Sequence, residues 1–433
     1  MSRNRRAKAK AGSEDFRGTP SALLWAVVAV FLVLSLLFNF RTPVGRNGYF
    51  HTPDEGAHIA YVRYVAEQGR LPRFEGYSGV GYEAHQPPLY YTLAAQVWRM
   101  GRILPVPPAR VVRMLSMLFG VLLVLVVYRI GRLLMPEVPA VALTAAGMTA
   151  LLPMNVAICS AVNNDSLTNL LFALALMEFA LLYTQAKPSR WIAWRMGVWA
   201  GLAGLTKVTA LLLLPTMVVG WLLVPRTHHT RRWLGLLVSV GLALAMMFPW
   251  FVRNMQLYDD PLLLKAFERT FAVTARAEQF LQGGASMTEY LQVVADWTYR
   301  SFWFAYGTPQ TAAKGLPNFL PDRVYLVLGI WHLLTLLGFA LALWRERETF
   351  AEGAFRWWAV AGVLLLLVLG AFVRFILTYF QTQGRYLYPA LVPIALAFVI
   401  GWRSLFPAHM RHTVDGLLLL LLFAISVLAV SVI

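Results

Sequence analysis

Residues 21–40 read SALLWAVVAVFLVLSLLFNF, a run of twenty residues without a charge that decides the fold class. A helix of about 20 apolar residues spans the hydrocarbon core of a bilayer, which is roughly 30 Å thick. Comparable apolar runs recur along the rest of the chain. The sequence therefore predicts an all-α polytopic membrane protein.

The composition of the whole chain agrees with a membrane protein. Of the 433 residues, 58% are hydrophobic and only 14% are charged, whereas a soluble domain has about 25% charged residues. The net charge of +17 does not indicate nucleic acid, because no soluble basic domain is present and basic residues accumulate on cytoplasmic loops of membrane proteins. A single cysteine, Cys159, excludes an intramolecular disulfide and a thiolate zinc site.

Short basic connectors set the expected orientation. If residues 110–134 cross toward the cytoplasm, then Arg129, Arg132, Lys187 and the cluster at 226–232 all lie on the cytoplasmic side, as the positive-inside rule requires. We expect an uncleaved first segment, a cytoplasmic N-terminus and a bacterial-type cytoplasmic membrane.

The same pattern predicts a bundle of about eleven transmembrane helices. Residues 87–104 are short and carry Arg99 and Arg102, so we expect them to lie in the outer interface without crossing. The predicted crossings are 21–40, 110–134, 139–158, 166–186, 191–206, 208–224, 233–252, 322–344, 356–378, 386–402 and 414–433. Four regions result: a basic cytoplasmic tail (1–20), a transmembrane module (21–252) that includes an extracytoplasmic loop with interfacial helices (41–110), a second extracytoplasmic loop (253–320) and C-terminal transmembrane helices (321–433).

Charged residues gather in the first loop, where residues 51–91 read HTPDEGAHIAYVRYVAEQGRLPRFEGYSGVGYEAHQPPLYY. Asp54 and Glu55 open a helical pattern, and His58 lies one turn after Asp54. An ionised carboxylate at a helix N-terminus beside a histidine is a plausible general base. The alternative is a helix cap with solvated neighbours.

A second cluster, Tyr82, Glu83, His85 and Gln86, precedes a Pro-Pro pair. Prolines fit the start of a helix and force an extended residue before them, which would direct the cluster back across the loop. An aromatic anchor in the headgroup zone is the alternative.

Two cations interrupt apolar runs, Lys207 and Arg385. Charges at membrane depth are unfavourable and suggest function, and guanidinium matches phosphate; the alternatives are snorkelling to water and a lipid headgroup contact. Three further polar or aromatic residues fall on the same predicted face as these cations, namely Asn164, Asp165 and Tyr386. Six motifs occur in order along the chain: PDEGAH, HQPPLYY, NND, GLAGLTK, RNMQLYDDPL and QGRYLYP.

This ordered set resembles the GT-C superfamily of membrane glycosyltransferases, in the branch of protein O-mannosyltransferases and aminoarabinose lipid A transferases. The resemblance implies an inverting transfer of a sugar from a polyprenyl-phosphate donor to a hydroxyl or amine of a cell-envelope lipid, glycan or protein at the extracytoplasmic face. It implies Asp54 as the base, with Glu55 beside it, and Lys207 as a contact of the lipid phosphate. Supporting roles fall to His58, Tyr82, Glu83, Asn164, Asp165 and Tyr386.

The chain departs from this family at one position. The family commonly has Glu-Lys before the Pro-Pro pair, whereas this chain has His85 and Gln86, so His85 or Arg385 would supply the missing phosphate contact. The scheme requires no cofactor or metal, although Asp54, Glu55 and Glu83 would be the ligands if a divalent ion were used as in the oligosaccharyltransferase branch.

Two other functions remain open. A transporter or flippase of a lipid-linked or anionic substrate needs polar groups at mid-membrane depth, for which only Glu178 and His332 qualify, neither with an identifiable partner. An O-antigen polymerase or ligase relies on arginines in a large outer loop, and residues 253–320 supply several of them (Arg253, Arg269, Arg276 and Arg300). The same loop carries aromatics that would stack on a sugar or form an interfacial belt: Tyr258, Trp297, Tyr299, Trp303 and Tyr306.

Overall fold

The structure is a computed structural model that describes residues 19–44, 52–225, 229–307, 317–345, 348 and 350–433. The expected basic tail, apart from its last two residues, lies outside these ranges, as do His51 and Arg226. Within them, 17 α-helices accompany one two-stranded antiparallel sheet, which confirms the all-α class.

The first ten helices belong to the predicted transmembrane module, and most of them are apolar. α1 (Thr19–Arg41) precedes the first loop, and α2 and α3 lie within it. The remaining bounds are α2 Glu55–Gln68, α3 Leu89–Gly101, α4 Pro108–Leu134, α5 Pro139–Leu151, α6 Pro153–Cys159, α7 Asp165–Thr184, α8 Ile192–Gly204, α9 Leu213–Leu222 and α10 His229–Tyr258.

The second loop is largely helical, since three helices and the two strands fill it. The strands pair with Ala305 opposite Phe319. The elements of the loop are α11 Leu264–Thr270, α12 Ala277–Gln282, α13 Met287–Trp303, β1 Ala305–Tyr306 and β2 Asn318–Phe319. Four C-terminal helices follow it: α14 Asp322–Arg345, α15 Ala354–Ile376, α16 Leu391–Ser404 and α17 Arg411–Ser431.

Fewer helices than predicted have the length of a membrane span. In the described ranges eight helices are long and apolar enough to cross, and α5 with α6, bent by 64°, makes a ninth. The other two predicted crossings fold as the 13-residue α8 and the short apolar stretch Val208–Leu222, because the chain breaks its helix around Lys207. A full crossing needs about 20 residues, so eight or nine helices meet this criterion, against the predicted count of about eleven.

α3 has 13 residues, a length that agrees with a helix that does not cross. It buries Tyr90 and Tyr91 and packs on α2. Its Arg99 guanidinium donates to the carbonyl oxygens of Ala66 (2.8 Å) and Val65 (3.3 Å). A cation at the carbonyl oxygens of the last turns stabilises the C-terminus of α2, so Arg99 joins the two helices of the first loop.

The bundle has two distinct ends. At one end the basic connectors converge: the Ala351 amide donates to the Leu134 carbonyl at 2.8 Å, and Arg231 donates to the Pro188 carbonyl at 3.0 Å. At the opposite end lie the first loop and the helices of residues 253–320.

The second loop packs tightly on residues 384–390, a 3-10 segment before α16. A Cβ on Gly384 would lie 2.3 Å from the Phe302 nitrogen, so only glycine permits this approach. The Gly384 amide donates to Ser301 Oγ at 2.8 Å, and the Tyr388 hydroxyl donates to the Phe302 carbonyl at 2.7 Å. α13 therefore fixes the backbone that carries Arg385.

Candidate functional site

Asp54 lies at the N-terminus of α2 in a left-handed backbone conformation, with φ of 64°, a region that Asp tolerates better than most residues. Its side chain makes no capping hydrogen bond. Instead Oδ1 accepts from the Tyr82 hydroxyl at 2.8 Å and Oδ2 pairs with Arg385 Nη2 at 2.5 Å. The carboxylate is 29% exposed, on the wall of an open cleft of about 860 Å³. The Asp54 side chain therefore does not cap the helix, which was the alternative to a functional role.

Arg385 connects the first loop to the membrane-spanning helices. Its Nη1 donates to Asp165 Oδ2 at 3.1 Å, and its Nε donates to Gln383 Oε1 at 2.6 Å. The other Asp165 oxygen pairs with Lys207. Asp54, Arg385, Asp165 and Lys207 thus form a chain of alternating charges, which we call the charge chain.

The helix ends explain this meeting. Asp165 begins α7, where the helix dipole favours a carboxylate, and Lys207 sits in the extended break after α8. Asn164 Nδ2 donates to Gln86 Oε1 at 3.2 Å and to the Thr206 carbonyl at 3.0 Å. The structure therefore brings together residues from five of the six motifs of the sequence. Tyr386 joins them, because its ring lies 5.8 Å from Lys207 Nζ and 5.6 Å from the Arg385 guanidinium carbon.

Glu55, the neighbour of Asp54, points away from the cleft interior into the protein. Its two oxygens pair with Arg113 at 2.7 and 2.8 Å, and Oε1 also accepts from the Val162 amide at 2.8 Å. Both side chains are 1% exposed. This geometry favours anchoring of the loop over the catalytic role that the sequence suggested. Arg113 was missed, although an arginine inside a predicted membrane span was the available signal.

His58 and Glu83 form a buried polar group beside the charge chain. His58 Nδ1 lies 2.7 Å from the Tyr91 hydroxyl and 3.7 Å from Glu83 Oε2, and Glu83 Oε2 has no hydrogen-bond partner among the described residues. Burial raises the pKa of Glu83 and lowers that of His58. Both shifts disfavour the charged forms.

The carboxyl of Asp54 behaves differently from that of Glu83. Burial raises the pKa of Asp54, but the Arg385 guanidinium and the Tyr82 hydroxyl outweigh it, so the pKa lies below its ordinary value. Asp54 is therefore ionised at neutral pH, as a general base must be.

His85 does not join the charge chain. Its Nδ1 lies 2.5 Å from the Tyr82 carbonyl, and its ring packs against Phe74, Phe267 and Phe271. Burial lowers the pKa of His85 to about 4. A neutral imidazole among aromatic rings is poorly suited to phosphate, so the phosphate contact expected of His85 stays a prediction that this geometry does not favour.

Only some of the loop aromatics reach the cleft. Trp297 and Tyr306 line it, whereas Trp303 is fully buried against His332. The Phe74 amide donates to the Tyr258 hydroxyl oxygen at 2.7 Å. Tyr299 lies 3.3 Å from His332 Nδ1, which gives His332 the partner that the sequence did not identify.

Glu178 also has a partner that sequence reasoning missed. Arg195 of α8 donates to both of its oxygens at 2.8 Å, and Trp199 Nε1 lies 3.3 Å away. An ion pair of this kind satisfies a buried carboxylate. The feature on which the transporter hypothesis rested therefore has a structural explanation.

The three carboxylates proposed as alternative metal ligands do not converge. Asp54 faces Arg385, Glu55 faces Arg113 and Glu83 faces His58. Across the described part of the chain, no group of three or more His, Cys, Asp or Glu could hold a metal ion. These side chains do not fit a metal centre, and the absence of a required cofactor remains a prediction.

Comparison with known proteins places this geometry in a known fold. Residues 86–252 match the family model described as dolichyl-phosphate-mannose-protein mannosyltransferase. A comparison with curated protein sequences finds no significant match.

Solved structures match nearly the whole chain. ArnT from Cupriavidus metallidurans bound to undecaprenyl phosphate is 19% identical, with a TM-score of 0.55 over 92% of this chain and 63% of ArnT. The Archaeoglobus fulgidus oligosaccharyltransferase in its apo form is 14% identical, with a TM-score of 0.57 over 96% and 56%. Its complex with an inhibitory peptide and a dolichol-phosphate matches at 12% identity and a TM-score of 0.54, over 94% and 55%.

The chain thus spans less than two thirds of the length of the structures that it matches. The match to the family model and the structural similarity agree with the resemblance seen in the sequence motifs. The protein has the fold of the GT-C superfamily of membrane glycosyltransferases.

Proposed function

We propose that this protein is an inverting glycosyltransferase that moves a sugar from a polyprenyl-phosphate carrier to an acceptor hydroxyl or amine. The observation that carries the proposal is the position of Asp54, an ionised carboxylate on an open cleft that is tied through Arg385 to Asp165 and Lys207. One end of the charge chain meets the acceptor cleft, and the other end holds a cation for the phosphate of the donor.

Asp54 acts as the base in this mechanism. The acceptor oxygen attacks the anomeric carbon, its proton passes to Asp54, and the bond between that carbon and the phosphate oxygen breaks. A single displacement inverts the anomeric centre. Each Asp54 oxygen accepts one hydrogen bond, from Tyr82 and from Arg385. An ionised carboxylate oxygen has a second lone pair, which is left for the hydroxyl of the acceptor.

Arg385 and Lys207 stabilise the leaving phosphate. Charge develops on the phosphate oxygen as the bond breaks, and fixed cations lower the energy of that state. Lys207 is the more accessible cation, since its side chain is 17% exposed and that of Arg385 is 4%. Lys207 therefore contacts the phosphate directly and Arg385 links this charge to Asp54. Two structural relatives are complexes with a lipid phosphate, ArnT with undecaprenyl phosphate and the archaeal enzyme with dolichol-phosphate, which supports a lipid phosphate ligand here.

The site faces the extracytoplasmic side in this proposal. The basic connectors meet at the opposite end of the bundle, and such connectors are retained in the cytoplasm. The acceptor is then a component of the cell envelope.

The test uses purified protein in nanodiscs, a polyprenyl-phosphate donor with a labelled sugar, and cell-envelope extract as acceptor. Asp54→Asn should lower the transfer rate by about 10²- to 10⁴-fold, the usual contribution of a general base. Glu67→Gln is the matched control, because Glu67 lies on α2 in an exposed pair with Arg63. Full transfer by Asp54→Asn would refute the mechanism, and flux of the carrier without any covalent change would favour a flippase.

A further inference from the structure

The cleft beside Asp54 has two unlike walls. One wall is the start of the first loop, from Thr52 to Ala57. The other is built by α13, the two strands and the stretch from Phe380 to Arg385. At about 860 Å³ the cleft has the size of a small-molecule or oligomer site.

The charge of the cleft differs from the charge of the chain. Its described lining has three charged residues. Glu55 is turned into the protein and neutralised by Arg113, so Asp54 and Arg385 balance each other, whereas the whole chain carries +17. Arg385 is already paired with Asp54 and Asp165. Among the described lining residues no cation is left to neutralise an anionic acceptor.

The aromatic wall has a neighbouring cation, and this one is also occupied. Arg300 lies 5.8 Å from the Phe319 ring. Its Nε pairs with Asp296 at 2.8 Å and its Nη1 with Asp322 at 2.5 Å. Two carboxylates therefore already balance the single charge of Arg300.

Three half-buried aromatic rings lie together on this wall. The ring centroids of Trp297 and Phe380 are 5.3 Å apart, and those of Trp297 and Phe319 are 6.0 Å apart. The exposed parts of such rings offer flat apolar surface with a negatively polarised face. The C–H face of a pyranose ring is a suitable partner for this surface.

Two amides border the aromatic rings. Gln383 Nε2 donates to Gln381 Oε1 at 3.1 Å, and Gln383 Oε1 accepts from Arg385. Within the described structure nothing accepts a hydrogen bond from Gln381 Nε2. An amide with free donors beside an aromatic surface suits a hydroxyl-bearing, uncharged ligand.

We infer that this cleft binds an uncharged carbohydrate as the acceptor, with a sugar ring against Trp297, a hydroxyl on Gln381 and another hydroxyl at Asp54. The inference rests on the proposed function, because Asp54 takes the proton of the acceptor only in that reaction. A peptide is the less suitable occupant, since β1 and β2 have two residues each and offer little strand edge for a peptide to extend.

The experiment measures binding without any donor. Full-length protein in phosphatidylcholine nanodiscs is titrated with cellotetraose, maltotetraose and chitotetraose, with the anionic tetragalacturonate, and with an uncharged serine- and threonine-rich peptide, by saturation-transfer difference NMR. At least one neutral tetrasaccharide should bind about tenfold more tightly than tetragalacturonate and the peptide. Trp297→Ala should weaken this binding about tenfold, since it removes a stacked ring.

Two further variants control for misfolding. Gln381→Ala removes an amide at the edge of the cleft and should also weaken binding, with an unchanged elution profile. Trp344→Ala removes a tryptophan that is 74% exposed at the end of α14 and should bind as the unsubstituted protein does.

Several results would overturn the inference: no binding of any neutral tetrasaccharide, equal or tighter binding of tetragalacturonate or the peptide, or unchanged binding by both Trp297→Ala and Gln381→Ala. Failure of the proposed function has a separate signature. It appears as no Asp54-dependent consumption of the lipid donor, a measurement in which no tetrasaccharide takes part.

Discussion

Asp54 and Glu55 are neighbours in the chain, yet they end in two different kinds of ion pair. Glu55 pairs with Arg113 in a group whose side chains are 1% exposed and whose oxygens all have partners. Asp54 is 29% exposed and belongs to the charge chain that ends at Lys207. The closed pair holds the loop on the bundle, and the open one meets the cleft. Glu55 therefore anchors the loop, and the adjacent Asp54 is the carboxylate available for chemistry.

The largest difference should appear in activity when Asp54 alone is changed. Asp54→Asn should remove about 10²- to 10⁴-fold of the transfer rate while the thermal unfolding temperature changes little, because its carboxylate is partly exposed and lies at the edge of the fold. Parallel measurements of rate and of fluorescence-detected unfolding check this. An equal loss of folded protein would show that the charge chain anchors the fold as well.

Glu55→Gln should have the reverse effect. Removing one partner of a buried ion pair leaves an uncompensated charge and lowers stability by about 3–5 kcal/mol. The unfolding temperature should fall markedly, and the transfer rate per folded molecule should fall much less than in Asp54→Asn.

The double variant Glu55→Gln/Arg113→Met sharpens this second test. It removes the stranded charge along with the pair, so it should recover part of the lost stability, as expected for two coupled residues. A double variant no more stable than Glu55→Gln would argue against the closed pair as the anchor.

Lys207→Met should have an intermediate effect on the transfer rate, through the interaction with the donor phosphate. Loss of one charge-stabilising contact lowers the rate by about 10²- to 10³-fold, and binding of polyprenyl phosphate should weaken in the same variant. Lys187→Met, in a connector at the opposite end of the bundle, is the control. Unchanged lipid phosphate binding by Lys207→Met would remove Lys207 from the phosphate site.

The sequence was informative about this site where charge stands out against an apolar background. Asp54, Lys207 and Arg385 are visible for this reason, and the order of motifs indicated the superfamily. Pairing across the fold was not visible: Arg113 is 58 residues from Glu55, and Arg385 is 331 residues from Asp54.

The two short predicted crossings have a local cause. The apolar content of residues 191–224 predicted two crossings, but composition does not show where a helix breaks. The break at Lys207 shortens both helices and gives the extended backbone from which the lysine reaches Asp165. The element that lowers the span count is thus the one that builds the charge chain.

The smallest expected effect concerns Tyr82, which lines the cleft and whose hydroxyl donates to Asp54 Oδ1. Its hydrogen bond stabilises the ionised form of Asp54 and lowers its pKa. Tyr82→Phe should therefore raise the pKa of Asp54 and move the acidic limb of the rate profile to higher pH, because the base works only when ionised. The pH dependence of transfer between about pH 4 and 8 measures this shift. Tyr77→Phe, a nearby exposed ring outside the Asp54 contacts, should leave the limb in place. If Tyr82→Phe left it in place as well, Asp54 would not be the group that controls this limb.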